Sequence, residues 1–313
     1  MAWHYFRRCI HHLNPGGDEQ HQPMRNNIIL AALTISTVAN AQYGSFDKKV
    51  VDAAKSSTTT VLRDATDSPY NRDLMNAVKA HWKFTGGTAF GTITDLASMP
   101  LDPATTYLMK IRKSDKEKHD AIFLALVQGW KMKKGETLMV ENNAVTNLPP
   151  DQELASIMID AKLMDNGGSA MLNVYVKNLQ DYLKQVETGK IADKATADRL
   201  YASRNRYIKD MELWVAEEQL DKSLPDLAAI QETYKQDVKI MGYSGMMTAA
   251  SQGQPNVAIA DVVITGEYKT KWCFRRVFNA STGELMYQRD EAALHDKKMG
   301  FIKEDFRVLE QSR

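Results

Sequence analysis

Two stretches of this chain carry the same order of patterns at one spacing, and that constrains the fold more than any single motif. Thr59-Thr60-Val61-Leu62 and Met211-Glu212-Leu213-Trp214 lie 152 residues apart, and both read as strands. Met75, Val78 and Trp82 then mark one apolar helix face. Leu227, Ile230 and Tyr234 repeat it at the same offset. Lys83 matches Lys235. A short strand and a second helix follow, around 95–99 and 247–251. Tyr107-Leu108-Met109-Lys110-Ile111 aligns with Ile259-Ala260-Asp261-Val262-Val263 as a further strand. The last strands are expected at 119–130 and 271–278. Each stretch reads β-α-β-α-β-β. The expected fold class is α+β, with two similar lobes at 42–141 and 210–287 and a tail at 288–313. Trp82 and Tyr234 are expected at equivalent core positions.

Residues 142–209 do not fit the repeat and are expected to form a helical connector. Pro149-Pro150 breaks a loop over 142–151. Residues 155–163 alternate weakly, as an added strand of the first lobe would. Tyr175, Leu179, Tyr182 and Val186 define an amphipathic helix over 169–188. Ser169 stands at its cap position, and Gly189 at its end. A second helix is expected over 193–208, with Leu200 and Tyr207 inward.

Residues 24–42, MRNNIILAALTISTVANAQ, read as a secretory signal peptide. Arg25 is the positive n-region and 28–38 the apolar h-region. Ala39-Asn40-Ala41 is the small-residue cleavage site. Met24 is then the expected initiator, with residues 1–23 a non-native leader. Cleavage after Ala41 would leave Gln42 first, without the cysteine of a lipoprotein. The expectation is a periplasmic or secreted chain with no membrane insertion after processing.

Arg7, Arg8 and Arg25, with Asp18 and Glu19, precede that cleavage point. Taking them from totals of 40 basic and 39 acidic residues leaves the two signs equal. Such a chain has no overall pull on nucleic acid. Cys9 falls in the leader, so Cys273 is alone and forms no internal disulfide. It sits between Trp272 and Phe274 as a buried thiol. His81, His119 and His295 are far apart and show no ligand spacing.

Other local signals read as structure. Phe84-Thr85-Gly86-Gly87-Thr88-Ala89-Phe90-Gly91 lacks the Lys-Ser/Thr of a phosphate loop and reads as a turn. Gly242-Tyr243-Ser244-Gly245 is one residue short of a nucleophile elbow. The pairs Glu217-Glu218 and Asp290-Glu291 point apart on regular structure. The charged run from Ile111 to His119 reads as a solvated hairpin end. Lys131-Met132-Lys133-Lys134 lacks the interleaved aromatics of a nucleic-acid platform. The sixteen methionines read as core filling. No catalytic, cofactor-binding or metal residue is assigned.

One segment does resemble a known family. Ile259-Ala260-Asp261-Val262-Val263-Ile264-Thr265-Gly266 is followed by a strand through Arg275-Arg276-Val277, then by Ser281-Thr282-Gly283-Glu284-Leu285. This order is similar to the periplasmic module shared by TolB amino-terminal domains, the curli-secretion protein CsgG and LpoB-type lipoproteins. Asn279 stands near the family's usual Asp. The resemblance implies a bulge or close approach at Gly266 and a hairpin turn at Thr282-Gly283. By its Trp82-Lys83-Phe84-Thr85 segment and its Tyr268-Lys269-Thr270-Lys271-Trp272-Cys273-Phe274-Arg275-Arg276 segment, the whole chain also resembles a class of uncharacterised exported proteins of Bacteroidota. The expected function is a non-enzymatic docking or assembly module for another envelope protein. The alternative is a small-molecule or glycan-binding protein with a cleft between two lobes. Trp130, Trp214 and Trp272 would then be stacking candidates.

Overall fold

The structure is a computed structural model that describes residues 43–98, 101–115, 119–267, 271–293 and 297–312. The expected leader and signal segment, Cys9 and His295 lie outside them. The side chain of His119 is likewise undescribed.

The described residues begin with α1 (Lys48–Ala54) and β1 (Thr58–Arg63). Helix α2 (Pro69–His81) starts where Ser68 accepts the Asn71 N–H and Pro69 fixes the first turn. Then come β2 (Gly87–Thr92), α3 (Ile93–Ser98), β3 (Thr105–Asp115) and β4 (His119–Gln128). A small hairpin, β5 (Val140–Glu141) and β6 (Ala144–Val145), turns at Asn142 and Asn143, both at positive φ. Strand β7 (Glu153–Ile159) closes a seven-stranded sheet whose main path runs β2-β1-β3-β4-β7. A single turn, α4 (Ala161–Leu163), leads into the long helix α5 (Leu172–Glu187).

Helix α6 (Lys194–Arg204) begins the second half. It is followed by β8 (Glu212–Ala216), α7 (Leu227–Gln231), β9 (Val238–Met241), α8 (Tyr243–Gln252), β10 (Val257–Thr265), β11 (Trp272–Asn279), β12 (Leu285–Ala292) and α9 (Lys303–Gln311). The second sheet runs β9-β8-β10-β11-β12. Strand order and sense agree between the halves. In each, the first strand is parallel to its two neighbours, and the next two pairings are antiparallel.

The constant offset of 152 is not kept in the strand register. Thr58 pairs with Thr105, whereas Glu212 pairs with Val257. If Thr105 answers to Val257, the equivalent of Thr59 is Leu213, not Met211. The drift has a local cause. Helix α2 has 13 residues and α7 only 5, so the connections differ in length.

The expected boundaries cut through the sheets. β7 lies in the span expected to be connector, and residue 287 falls inside β12. Helix α5 packs on α2 as the closing helix of the first half. Helix α9 does the same for the second, with Phe306 against Tyr234. The span 288–313 is therefore part of the second core, where Phe306 and Leu309 are fully buried.

Nor are the halves separate lobes. One apolar cluster runs from Val51, Leu74 and Leu124 through Tyr175 and Leu179 to Ile259 and Phe278. Ten of the sixteen residues of α5 are buried because the helix serves both halves. A single amphipathic stripe understates that. The cap also differs from expectation: Ser169 donates to Asp73 on α2, and no side chain caps α5. In α6 Ala197, Tyr201 and Arg204 are buried and Leu200 packs partly buried against the core, as expected, with Ile208 buried beyond the helix end. Tyr207 is 47% exposed. The Asp193 capping box and a tightened turn after Arg204 set that phase.

Candidate functional site

Strand alternation gives each sheet two faces. In the second sheet, Ala258, Ala260, Val262, Cys273 and Val277 face α7 and α9. Ile259, Asp261, Val263, Phe274, Arg276 and Phe278 form the opposite, front face. The adjacent arginines therefore diverge. Arg275 donates to the carbonyls of Gly300 and Lys298 beneath α9, while Arg276 turns to the front.

The front is where the halves meet. Arg276, fully buried, donates from Nη2 to Asp261 at 2.5 Å and from Nη1 to the Met158 carbonyl at 2.9 Å. Met158 lies on β7, an edge strand, so this contact covers part of an open edge. The other end of β7 is covered by the Ser45 N–H, which donates to the Leu154 carbonyl. Tyr175 on α5 donates to Asp261 at 3.1 Å and packs edge-on against Phe278. Burial, then the Asp261 carboxylate, pushes the Tyr175 hydroxyl well above its ordinary pKa, which keeps it a donor. Asn178, one turn on, donates to the Gly283 carbonyl at 3.0 Å.

Of the residues quoted for the family resemblance, Asp261, Arg276 and Gly283 lie at this seam, while Ala260, Val262, Arg275 and Val277 face the other side of the sheet. Asp261 anchors α5. Asn279 accepts the N–H groups of Ser281 and Thr282 and sets the turn. Gly283 has φ +72, and an added Cβ would lie 2.4 Å from the Lys177 Cβ of α5. Gly266 also has positive φ and ends β10. The pairing of Arg276 with the face of Tyr175 leaves no local pattern in the sequence. An arginine doublet inside a strand this apolar was the available signal.

Space at the seam is small. A cavity of about 10 Å³ lies among Ser156, Asn178, Tyr182, Tyr201 and Arg276. It has room for one water and none for a sugar. An open groove of about 530 Å³ lies elsewhere, along α1 beside Lys49, Ser56, Pro103 and Gln128.

The tryptophans named as stacking candidates are packed. Trp214 is 8% exposed, donates to Glu212 and lies under the Lys239 ammonium. Trp130 and Trp272 pack against the front core of the first sheet. Trp82 and Tyr234 are both buried. Cys273 is fully buried, and burial pushes its thiol up to about 11. The glycine-rich segment turns into β2, and Ser244 is exposed in the first turn of α8. Glu218 accepts the Tyr243 N–H, while Glu291 pairs with Lys298. Among the described residues no three His, Cys, Asp or Glu side chains gather as a metal site, and no helix is long and apolar enough to cross a membrane.

The first sheet has the equivalent front face. Tyr107, Met109, Ile111, Phe123, Ala125 and Val127 line it. Ile93 and Leu96 of α3 and Val263 and Phe274 of the second sheet are buried in the same cluster, and Trp130, Met132, Leu138, Val140 and Leu148, from the arm between β4 and β7, pack against it. The second half has only a short turn at the corresponding connection, between β11 and β12.

Compared with protein-family models, curated proteins and solved structures, the chain matches none.

Proposed function

We propose that the chain is an exported, non-enzymatic docking or assembly module of the cell envelope, made of two copies of one unit. The unit is β-α-β-α-β-β-β-α, and its front face is a docking surface. One observation carries this reading: the front of the second half already grips a helix, α5, through Asp261, Arg276 and Gly283. Residues quoted for the resemblance to an envelope module build that grip. The matching strand order of the two sheets supports duplication. The signal-like segment at 24–42 supports export.

The test is crosslinking of intact cells that carry a tagged full-length chain, followed by fractionation and N-terminal sequencing. The expected result is a mature start at Gln42 and one stoichiometric envelope partner. An unprocessed chain, or a processed monomer with no partner, would contradict the reading.

A further inference from the structure

The main paths of the two sheets end at four strands, β2, β7, β9 and β12, and three of these are guarded. On β7 the Leu154 carbonyl accepts from the Ser45 N–H and the Met158 carbonyl from Arg276. On β12 the Leu285 carbonyl accepts from Arg204 at 3.2 Å. Strand β9 is only four residues long and carries an exposed lysine, Lys239, at its centre. A charge there resists pairing with a further strand, since pairing would strip it of water.

Strand β2 is the exception. Its sequence, Gly-Thr-Ala-Phe-Gly-Thr, holds no charge and no proline. Among the described residues no strand pairs with its outer side. Ala89 stands where β9 has Lys239. Thr60 pairs with Ala89 and Trp214 with Lys239, and the pairings of Thr58 with Thr105 and Glu212 with Val257 make Thr60 and Trp214 equivalent. Thr88 and Ala89 are exposed. The side chains of Thr85, Arg63 and Asp95 already bond the Gly87 carbonyl, the Gly91 carbonyl and the Thr92 N–H. Pairing with a further strand is therefore left to the centre, from Thr88 to Phe90.

The flanks decide which strand fits. Lys83 precedes β2 and Asp95 follows it, both exposed and equally far from Ala89 in sequence. A second β2, laid antiparallel about a two-fold axis at Ala89, sets the basic end of each copy against the acidic end of the other. Gly87 then faces Gly91, and Thr88 faces Phe90. No like charges meet across the junction.

We propose that β2 is a self-association edge: two copies of this chain pair antiparallel through Thr88–Phe90, about a two-fold axis at Ala89, and join their first sheets into one. The interface is isologous, so the pairing closes at a dimer. It needs neither export nor an envelope partner. The seam and the helix α5 lie in the other direction along the fold's sequence of pairings, at β7 and β10, and take no part in it.

Sedimentation velocity of the full chain at rising concentration reads the association. Ala89→Lys gives β2 the charge that β9 carries and sets like charges opposite each other across the axis. The wild type should pass from monomer to dimer. Ala89→Lys should keep its thermal midpoint and associate about tenfold more weakly or less. A wild type that is monomeric throughout, or an Ala89→Lys chain that associates equally well, would overturn the proposal. Should Ala89→Lys fail to fold, Ala89→Cys in a Cys9→Ser chain decides. Mild oxidation should link two copies through that position, while Thr94→Cys in the same background, exposed but off the strand, should not link. No link through position 89, or equal linking at both positions, would overturn the antiparallel pairing.

Discussion

Tyr175 and Asp261 are 86 residues apart in sequence and share a buried 3.1 Å hydrogen bond, with the phenol on the closing helix of the first half and the carboxylate on the central strand of the second. Asp261 also holds Arg276. The seam is therefore a small polar network inside an apolar junction. Such a network fixes one relative placement of its partners, because a shifted helix would leave buried groups unpaired.

Removing one member should be costly in proportion to what it strands. Asp261→Ala leaves the Arg276 guanidinium buried and without its counter-ion, at a cost of about 3–5 kcal/mol. Tyr175→Phe deletes one hydrogen bond and should cost about 1 kcal/mol. Urea unfolding of the full chain measures both. A loss below 1 kcal/mol for Asp261→Ala would mean that Arg276 finds another partner.

Gly283→Ala tests the close approach of helix and turn. The new Cβ would sit 2.4 Å from the Lys177 Cβ and 2.8 Å from the Asn178 nitrogen, at a φ of +72°. Both the clash and the strain destabilise, so the loss should exceed about 1 kcal/mol. Faster hydrogen exchange along α5 should accompany it. Exchange unchanged in α5 would contradict the packing.

Acid should loosen the attachment of the C-terminal helix. Asp221 accepts from the Ser223 N–H and hydroxyl and from the Met299 N–H. Burial pushes its carboxyl up, but these bonds together hold it below the ordinary range. Glu291 behaves alike: burial opposes, and the Lys298 ammonium prevails. Both values are depressed, so their stabilisation is complete above the ordinary carboxylate range, near pH 4, and is lost as pH falls through the folded values. Hydrogen-exchange protection at 297–301 and in α9, taken relative to the intrinsic rate at each pH, should fall below about pH 4. Asp305, raised by burial, acts in the opposite sense, its share lost as pH rises through its folded value. Asp221→Asn separates the two, since its exchange should already be fast at pH 7. A wild-type profile that is flat down to pH 3 would contradict the assignment.

Cys273 should be inert until the second core opens. Its thiol is fully buried and pushed up to about 11. In a Cys9→Ser chain, alkylation at pH 8 should be slow when native and complete in denaturant. Rapid native labelling would show that β11 is open to solvent.

Much of the element order was legible because hydrophobic period survives without sequence identity. Val78 and Ile230 lie inward on equivalent helices, and Tyr107 and Ile259 on equivalent strands. What failed was register and ownership. A fixed offset cannot absorb the shortening of α7, so Thr59 was matched two residues away from its partner. The helix at Tyr175 reads as a connector because a local pattern does not say which sheets it will cover. The seam was legible only in part. Asp261 and Gly283 stood in a recognisable pattern, but the pairing with Arg276 and Tyr175 depends on two strands and a helix meeting across long sequence separations. Between β4 and β7 the sequence shows only the basic run Lys131-Met132-Lys133-Lys134 and the loop from 142, since partly buried residues on an irregular segment leave no period to follow.

The most direct test of the docking face is a double-mutant cycle across it, combining Tyr175→Phe with Asp261→Asn and measuring unfolding free energies by urea titration. The account predicts a coupling of about 0.5–3 kcal/mol between the two positions. Additive losses, with no coupling, would show that the helix is held by apolar packing alone and that Asp261 does not anchor it.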